Sequence, residues 1–298
     1  MISNLLSQIK LDGLDKIPVF SVRNQETIMN VPLSPPRAFI WRRLHSLTGV
    51  WLVLFLIIHL LENSQAALFF DDDGKGFIHG VNAIHNLPYL PVLEIILLAI
   101  PILIHLFWGI QYLFTGQFNS YASDGSLPTL KYPRNRAYTW QRITSWILLF
   151  GLIGHVIHMR FIEYPTLSKI DSQQVYLVSI ENDSGLASLA SRIDVKLEPD
   201  PSYPAKVIAQ AKNFGTASLL IVRESFKSPL MIALYTLFVL SACFHGFNGL
   251  WTAMITWGMT VSPRSQQYMK RFAVFLMLIV TFLGLAAIWG TYWINLKN

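Results

Sequence analysis

The stretch RRLHSLTGVWLVLFLIIHLLEN, residues 42–63, decides how the rest of the chain is read. It opens on Arg42, Arg43 and His45. From Ser46 to Ile58 it then runs thirteen residues without a charge before reaching His59. A helix rises ~1.5 Å per residue, so His59 lies ~21 Å beyond His45. That depth is well inside a hydrocarbon layer ~30 Å thick. An ionisable side chain so placed is expensive to bury and marks a functional site by default.

Working outward, composition agrees with a membrane setting. Of 298 residues, 53% are apolar and only 13% charged, with mean hydropathy +0.43, whereas soluble domains carry about a quarter charged residues. The net charge of +6 sits beside hydrophobic segments and gives no indication of nucleic acid. A single cysteine, Cys243, excludes a disulfide framework and a four-cysteine iron–sulfur cluster within this chain. The first forty residues hold no apolar run, so no cleavable signal peptide is expected.

Five spans of suitable length follow, at about 44–62, 90–114, 142–160, 229–257 and 272–294; each is near the ~20 residues a crossing helix needs. Basic residues orient them. Lys10, Lys16, Arg23, Arg37, Arg42 and Arg43 precede the first span, Lys131, Arg134, Arg136 and Arg142 the third, and Arg264, Lys270 and Arg271 the fifth. The first connection carries only Lys75, beside Asp71, Asp72 and Asp73. This places the N-terminus inside and the C-terminus outside. The organisation expected is an inner-side N-terminal segment (1–43), three spans (44–160), an outer-side insertion (161–228) and two further spans (229–298). Within the insertion, QQVYLVSI and SLLIVR read as strands, and the alanine-rich stretch between them as a short helix. A small folded cap is expected there.

Four of the eight histidines lie deep in these spans: His59, His105, His155 and His245. Each sits ~20–24 Å along its helix from the end that enters the membrane. Because successive helices alternate in direction, His59 and His155 share an outer level, and His105 and His245 an inner one. Facing imidazoles in a bundle core are what six-coordinate haem iron needs. Two such pairs would hold two haem b groups, one above the other. Gly154, Gly246 and Gly109 flank these histidines and permit close approach of a flat macrocycle, while Pro101 removes a helix hydrogen bond just before His105. The competing readings are histidines that merely bond helix to helix, and a metal or proton pathway. Such pathways usually recruit embedded Asp, Glu or Cys as well, and these helices hold almost none. Arg43, His45, Ser46 and Arg142, at the inner ends, are candidates for haem propionates, against ordinary positive-inside flanking. His79 and His85 fall in the outer loop, where solvation is the simple expectation. His158 lies one turn after His155.

The segments RRLHSLTGV…IIHLLEN, PYLPVLEI…PILIH, WQRITS…GH and FHGFNGLW…TWGMTVSPRSQ resemble the cytochrome b membrane anchor of succinate dehydrogenases and fumarate reductases. The likeness is to the single-subunit, five-helix, di-haem type found in bacteria, and it covers about three-quarters of the chain. It implies an all-α membrane protein of the bacterial cytoplasmic membrane: five transmembrane helices with a di-haem four-helix core and a small outer insertion. It also implies that His59 and His155 ligate the distal haem, and His105 and His245 the proximal one. A flavoprotein and an iron–sulfur protein would dock on the inner face, and a quinone, usually menaquinone, would exchange electrons near the distal haem. Glu62, His85 and Glu94, with His158 beside them, are the residues expected to exchange protons there. The chain has no flavin or dinucleotide fingerprint of its own. Dicarboxylate chemistry would therefore belong to its partners, and the chain would be enzymatic only as a subunit. The alternatives are a histidine-based metal or proton transporter, and a structural anchor with one haem or none.

Overall fold

A long apolar segment in lipid has one stable solution on its own, a helix, because only a helix satisfies every backbone polar group internally. The computed structural model describes residues 36–68, 72–116 and 133–297. The expected inner-side segment up to residue 35 lies outside these, as do Asp71 and Lys131. In chain order, α1 (Arg37–Ser64) is followed by the short α2 (Lys75–His85). The second long helix comprises α3 (Leu90–Glu94), a π-helical turn at Ile95–Ala99, and α4 (Ile100–Thr115). The third joins α5 (Pro133–Val156) to a π-helical turn at Ile157–Ile162.

An α/β unit comes next, built from β1 (Thr166–Ile170), β2 (Gln173–Glu181), α6 (Leu186–Arg192), β3 (Lys196–Pro199), β4 (Lys206–Ala211) and α7 (Phe214–Ser225). The chain then returns through α8 (Pro229–Thr256). It ends with α9 (Pro263–Leu285), a π-helical turn at Ala286–Gly290, and α10 (Thr291–Lys297). Among the described residues, five helices are long and apolar enough to cross a membrane: Arg37–Ser64, Leu90–Thr115, Arg134–Ile162, Pro229–Thr256 and Pro263–Leu296. This is a multi-pass, mainly helical membrane protein. The third and fifth helices begin at Arg134 and Pro263, eight or nine residues before the expected 142 and 272. Hydropathy marks only the apolar crossing, while the backbone ladder continues through the polar flank.

The apolar core joins α1, α8 and the last helix. Val53 and Leu60 meet Ile232, Val239, Cys243 and Phe247, with Val280 and Ile288 behind them. At Gly284 a Cβ would lie 2.6 Å from Val239 Cγ1, so the absent side chain sets how closely α9 approaches α8. By contrast α4 buries no residue, and it meets α1 through the Trp41–Trp108 and His45–His105 ring pairs. Pro101 has no N–H to offer the turn before it. The carbonyl of Leu97, four residues back, instead accepts the Trp51 indole N–H at 2.6 Å, which ties α1 to this helix beside the π-helical turn.

The α/β unit is an antiparallel sheet in the order β1-β2-β4-β3. Asp171 and Ser172, both at positive φ (48° and 69°), close the β1–β2 hairpin, as a two-residue connection of matching twist requires. One face packs Val178, Ile180, Ala209 and Ala211 against Leu186 and Leu189 of α6 and Leu220 of α7. The segment SLLIVR, expected as a strand, is helical and lies inside α7. A short apolar run does not distinguish a buried strand from a buried helix. Here Asn213 decides, its side chain accepting the Thr216 N–H at 2.9 Å as an N-cap. The same Asn213 accepts from Asn82 Nδ2 at 2.9 Å, while Asn82 Oδ1 accepts the Gly215 N–H at 2.7 Å. This reciprocal clasp fastens α7 to α2, and Arg192 adds an ion pair with Asp73 at 2.9 Å.

Asp183 holds the end of α7. It accepts from Arg223 Nη2 at 3.2 Å, Lys227 Nζ at 2.9 Å and the Gly185 N–H at 3.0 Å. Burial pushes this carboxyl up, but the Lys227 and Arg223 cations together outweigh that and hold it below the usual range. A depressed folded-state pKa contributes stability that is present above the unfolded value of ~3.9 and is lost as pH falls through the folded value. Asp183→Asn is therefore expected to weaken the α/β unit by about 2 kcal/mol at pH 7, and by less once the wild-type carboxyl is protonated. Hydrogen-exchange protection of the β2 amides at the two pH values measures both.

Candidate functional site

Four of the five long helices each carry one deep histidine, and the helices set these rings against one another in two pairs. His59 of α1 faces His155 of α5 with ring centroids 6.0 Å apart and planes at 75°. His105 of α4 faces His245 of α8 at 6.3 Å and 80°. A metal gripped by two imidazole nitrogens at ~2 Å each sets the ring centres about 6 Å apart. The donor set and its spacing thus fit bis-imidazole iron at both levels. Among the described residues, no group of three or more His, Cys, Asp or Glu is placed to hold a metal ion by itself.

What orients the rings is the neighbour of each Nδ1. His105 Nδ1 lies 3.1 Å from the His45 carbonyl oxygen. His245 Nδ1 lies 3.3 Å from both the Gln141 carbonyl and Ser145 Oγ. Gln141 is itself fixed, donating to the His245 carbonyl at 3.1 Å and accepting from Asn248 Nδ2 at 2.7 Å. At the other level, His59 Nδ1 is 3.4 Å from Asn63 Nδ2, and His155 Nδ1 is 3.3 Å from Tyr235 Oη. Nδ1 of His105, His245 and His155 faces an oxygen to which it can donate, which leaves Nε2 for a ligand, as metal-bound histidines are usually held; His59 Nδ1 instead faces the Asn63 amide N–H, a donor. Gly49 contributes by omission, since a Cβ there would sit 2.8 Å from His105 Cε1. Gly154 has nothing within 4 Å of such a Cβ, Gly246 only Val53 and Leu56, and Gly109 only His45 Cε1 at 3.9 Å.

At the basic end, His45 stacks on His105 at 4.0 Å with planes 12° apart, and its Nδ1 is buried without a hydrogen-bond partner. Ser46 Oγ accepts from the Trp257 indole at 3.2 Å. Arg43 donates to the Thr256 carbonyl at 3.2 Å and lies over the Trp257 ring. Arg142 reaches across to the end of α4, donating to the Leu113 and Gly116 carbonyls at 2.9 Å each. It closes the C-terminus of that helix.

At the opposite end, the three proton-exchange candidates come from three different elements. Glu62 on α1 has a buried Oε1 with no hydrogen-bond partner and packs against Gly80 of α2, where a Cβ would be 2.7 Å away. Glu94, at the end of α3, pairs with Arg160 at 3.2 Å, both side chains being well exposed. His85 is not simply solvated. It stacks on Phe214 at 4.0 Å and 8°, and its Nε2 lies 3.1 Å from Tyr176 Oη. His79 is exposed. His158 Nδ1 lies 3.2 Å from Tyr235 Oη, so that hydroxyl joins His158 to His155.

Sequence reasoning missed Tyr235, Gln141, Asn248, Asn63 and Arg160. Some of these left a trace: Tyr235 is the single tyrosine of α8, Gln141 the single glutamine of α5, and Asn63 stands one turn after His59. Their partners come from other helices or from backbone carbonyls, which no linear pattern encodes.

The chain is similar to the succinate dehydrogenase cytochrome b558 subunit of Bacillus subtilis (strain 168), being 28% identical over 259 residues that span 87% of this chain and 99% of that subunit. No family model matches the chain, and no solved structure does. The resemblance to a succinate dehydrogenase cytochrome b anchor, first carried by four separate motifs, therefore extends over nearly the full length of that relative.

Burial, and then the Arg160 guanidinium, push the His85 imidazole below its usual range, with Glu94 opposing them. A histidine ¹³C NMR titration is expected to place its midpoint under the ordinary ~6.5. Glu94→Gln should move that midpoint further down, and Arg160→Ala should move it up. Shifts of opposite sign to these would refute the electrostatic arrangement.

Proposed function

We propose that this chain, a relative of that succinate dehydrogenase subunit, anchors a succinate:quinone oxidoreductase in the membrane and carries two b haems that link an iron–sulfur partner to quinone. The observation that carries this reading is the pair of facing imidazole couples at 6.0 and 6.3 Å, one from α1 and α5, the other from α4 and α8. His59 and His155 would hold the outer haem, and His105 and His245 the inner one. Haem iron held by these residues would supply one-electron transfer.

The residues around the inner couple then have definite tasks. The His45 carbonyl and the Gln141 carbonyl fix the tautomers of His105 and His245. The buried Nδ1 of His45 is free to donate to a propionate, with Ser46, Arg43 and Arg142 around it on the basic end. A carboxylate there is met by guanidinium forks and hydroxyls in a setting of low dielectric, where such bonds are strong. At the outer couple, Tyr235 and Asn63 hold His155 and His59. Glu62, His85 and Glu94 would exchange the protons of the quinone, with menaquinone the expected species.

The surplus of basic residues at the starts of α1, α5 and α9 supports an inner position for that end. The flavoprotein and iron–sulfur subunits would dock there, on the cytoplasmic face of a bacterial membrane. The α/β unit and the C-terminus would then lie outside, with residues 1–43 forming the inner-side segment.

The test is optical. A reduced-minus-oxidised spectrum of the purified chain should show b-type bands, at two haems per polypeptide. His59→Ala and His245→Ala should each remove one of the two. A colourless protein, or full haem content in both variants, refutes the proposal.

A further inference from the structure

The outer proton-exchange candidates raise a question that the membrane helices do not answer: where His85 passes a proton. Its Nδ1 makes no hydrogen bond among the described residues, whereas its Nε2 lies 3.1 Å from Tyr176 Oη. Tyr176 belongs to the α/β unit, and to the centre of its sheet. It sits on β2, opposite Leu167 of β1 on one side and Ala211 of β4 on the other. A side chain on a strand paired along both edges is held more firmly than one on a loop. Phe214, at the start of α7, covers the flat face of His85 and lies edge-on to Tyr176 at 5.6 Å. Tyr164 packs on Phe214 at 5.4 Å and carries Arg160 over its ring at 4.7 Å. Arg160 in turn pairs with Glu94. Phe214 and Tyr176 thus flank His85 directly, and Tyr164, from the connection leading into β1, backs Phe214. Beside them, Ile84, Leu87, Tyr89 and Val92 present exposed apolar surface, suited to a ligand that arrives through lipid.

We infer that the α/β unit completes the quinone-reactive site, with Tyr176 acting through His85 as the next member of a proton relay. This rests on the proposal that quinone reacts near the outer histidine couple. Oxidation of one quinol releases two electrons and two protons. The electrons would leave singly towards a haem that His59 and His155 would hold. Each proton passes from a quinol oxygen to His85 Nδ1 as Nε2 gives its own proton to Tyr176 Oη, and the tyrosine O–H proton goes on to water. Reorientation of the imidazole then turns its N–H towards Tyr176 and its bare nitrogen towards the quinol, ready for the second proton. Reduction of quinone runs the same steps backwards. His85 suits this use because its lowered proton affinity keeps the ring neutral near pH 7, with one nitrogen a donor and the other an acceptor. Arg160 and Glu94 are the charged groups that face it. Tyr176 touches no substrate in this scheme and is a positioning residue.

The experiment uses the purified succinate dehydrogenase complex containing the full chain, assayed with a soluble quinol. Tyr176→Phe is expected to lower turnover about tenfold, to leave the KM for quinol within about twofold, and to leave the haem spectrum unchanged. The solvent deuterium isotope effect on turnover should rise. Tyr176→His, which can also relay, should recover several-fold over the phenylalanine variant. Unchanged turnover in Tyr176→Phe, when His85→Gln is impaired, overturns this inference alone. Unchanged turnover in His85→Gln overturns both this inference and the placement of quinone beside His85. Equal losses in Tyr176→Phe and Tyr176→His, with no change in isotope effect, would reduce Tyr176 to a packing role and refute the relay.

Discussion

An imidazole has two nitrogens, and taking the ring out of water leaves each in need of a partner. In a hydrocarbon layer no solvent supplies one. The bundle engages Nδ1 in each of its four deep rings. The helper differs from ring to ring. His105 and His245 use backbone carbonyls from other helices. His59 uses an asparagine one turn along its own helix, and His155 uses the Tyr235 hydroxyl. Four unlike environments thus supply four different supports for rings that meet in two pairs.

Two of the three π-helical turns among the described residues lie within two turns of a deep histidine. Pro101 removes a donor just before His105, and the Trp51 indole takes up the Leu97 carbonyl in its place. A second π-helical turn follows His155 at Ile157–Ile162. Such a turn bonds across five residues instead of four, and it brings residues five apart closer to one face. Arg160, five beyond His155, gains its reach to Glu94 on the neighbouring helix, while His158 meets the same tyrosine hydroxyl as His155. The local departures from α geometry therefore link the histidine level to the charged groups at the membrane boundary.

Depth and helix direction are linear properties, and for that reason the partnering of His59 with His155 and of His105 with His245 was legible from residue counts alone. So were the five crossings, because lipid allows few alternatives. What escaped is what depends on a third dimension. SLLIVR has a strand's composition but a helix's cap, and Asn213 lies outside the run that was read. Arg142 sits where a propionate partner is expected, yet two hydrogen bonds tie it to the end of α4. His85, in an outer loop on paper, is covered by Phe214 from a segment more than a hundred residues later. Side chains whose partners are backbone carbonyls or distant rings leave no periodic signal to find.

The connection between the α/β unit and the bundle runs through one short helix. Along α2, Phe77 is buried with Ala66 and Leu219, Gly80 receives Glu62, Asn82 clasps Asn213, and His85 meets Phe214. Each successive position thus faces either the first membrane helix or the α/β unit. A hinge would keep such contacts few and replaceable. Here Asn82 satisfies a side-chain acceptor and a backbone donor at once, so loosening it would leave more than one partly buried group unpaired. The two parts consequently present His85 and Tyr176 to one another at a separation fixed by the fold. A hydrogen bond between residues ninety-one apart in sequence, held on a central strand and a clamped helix, does not depend on any mobile loop to form.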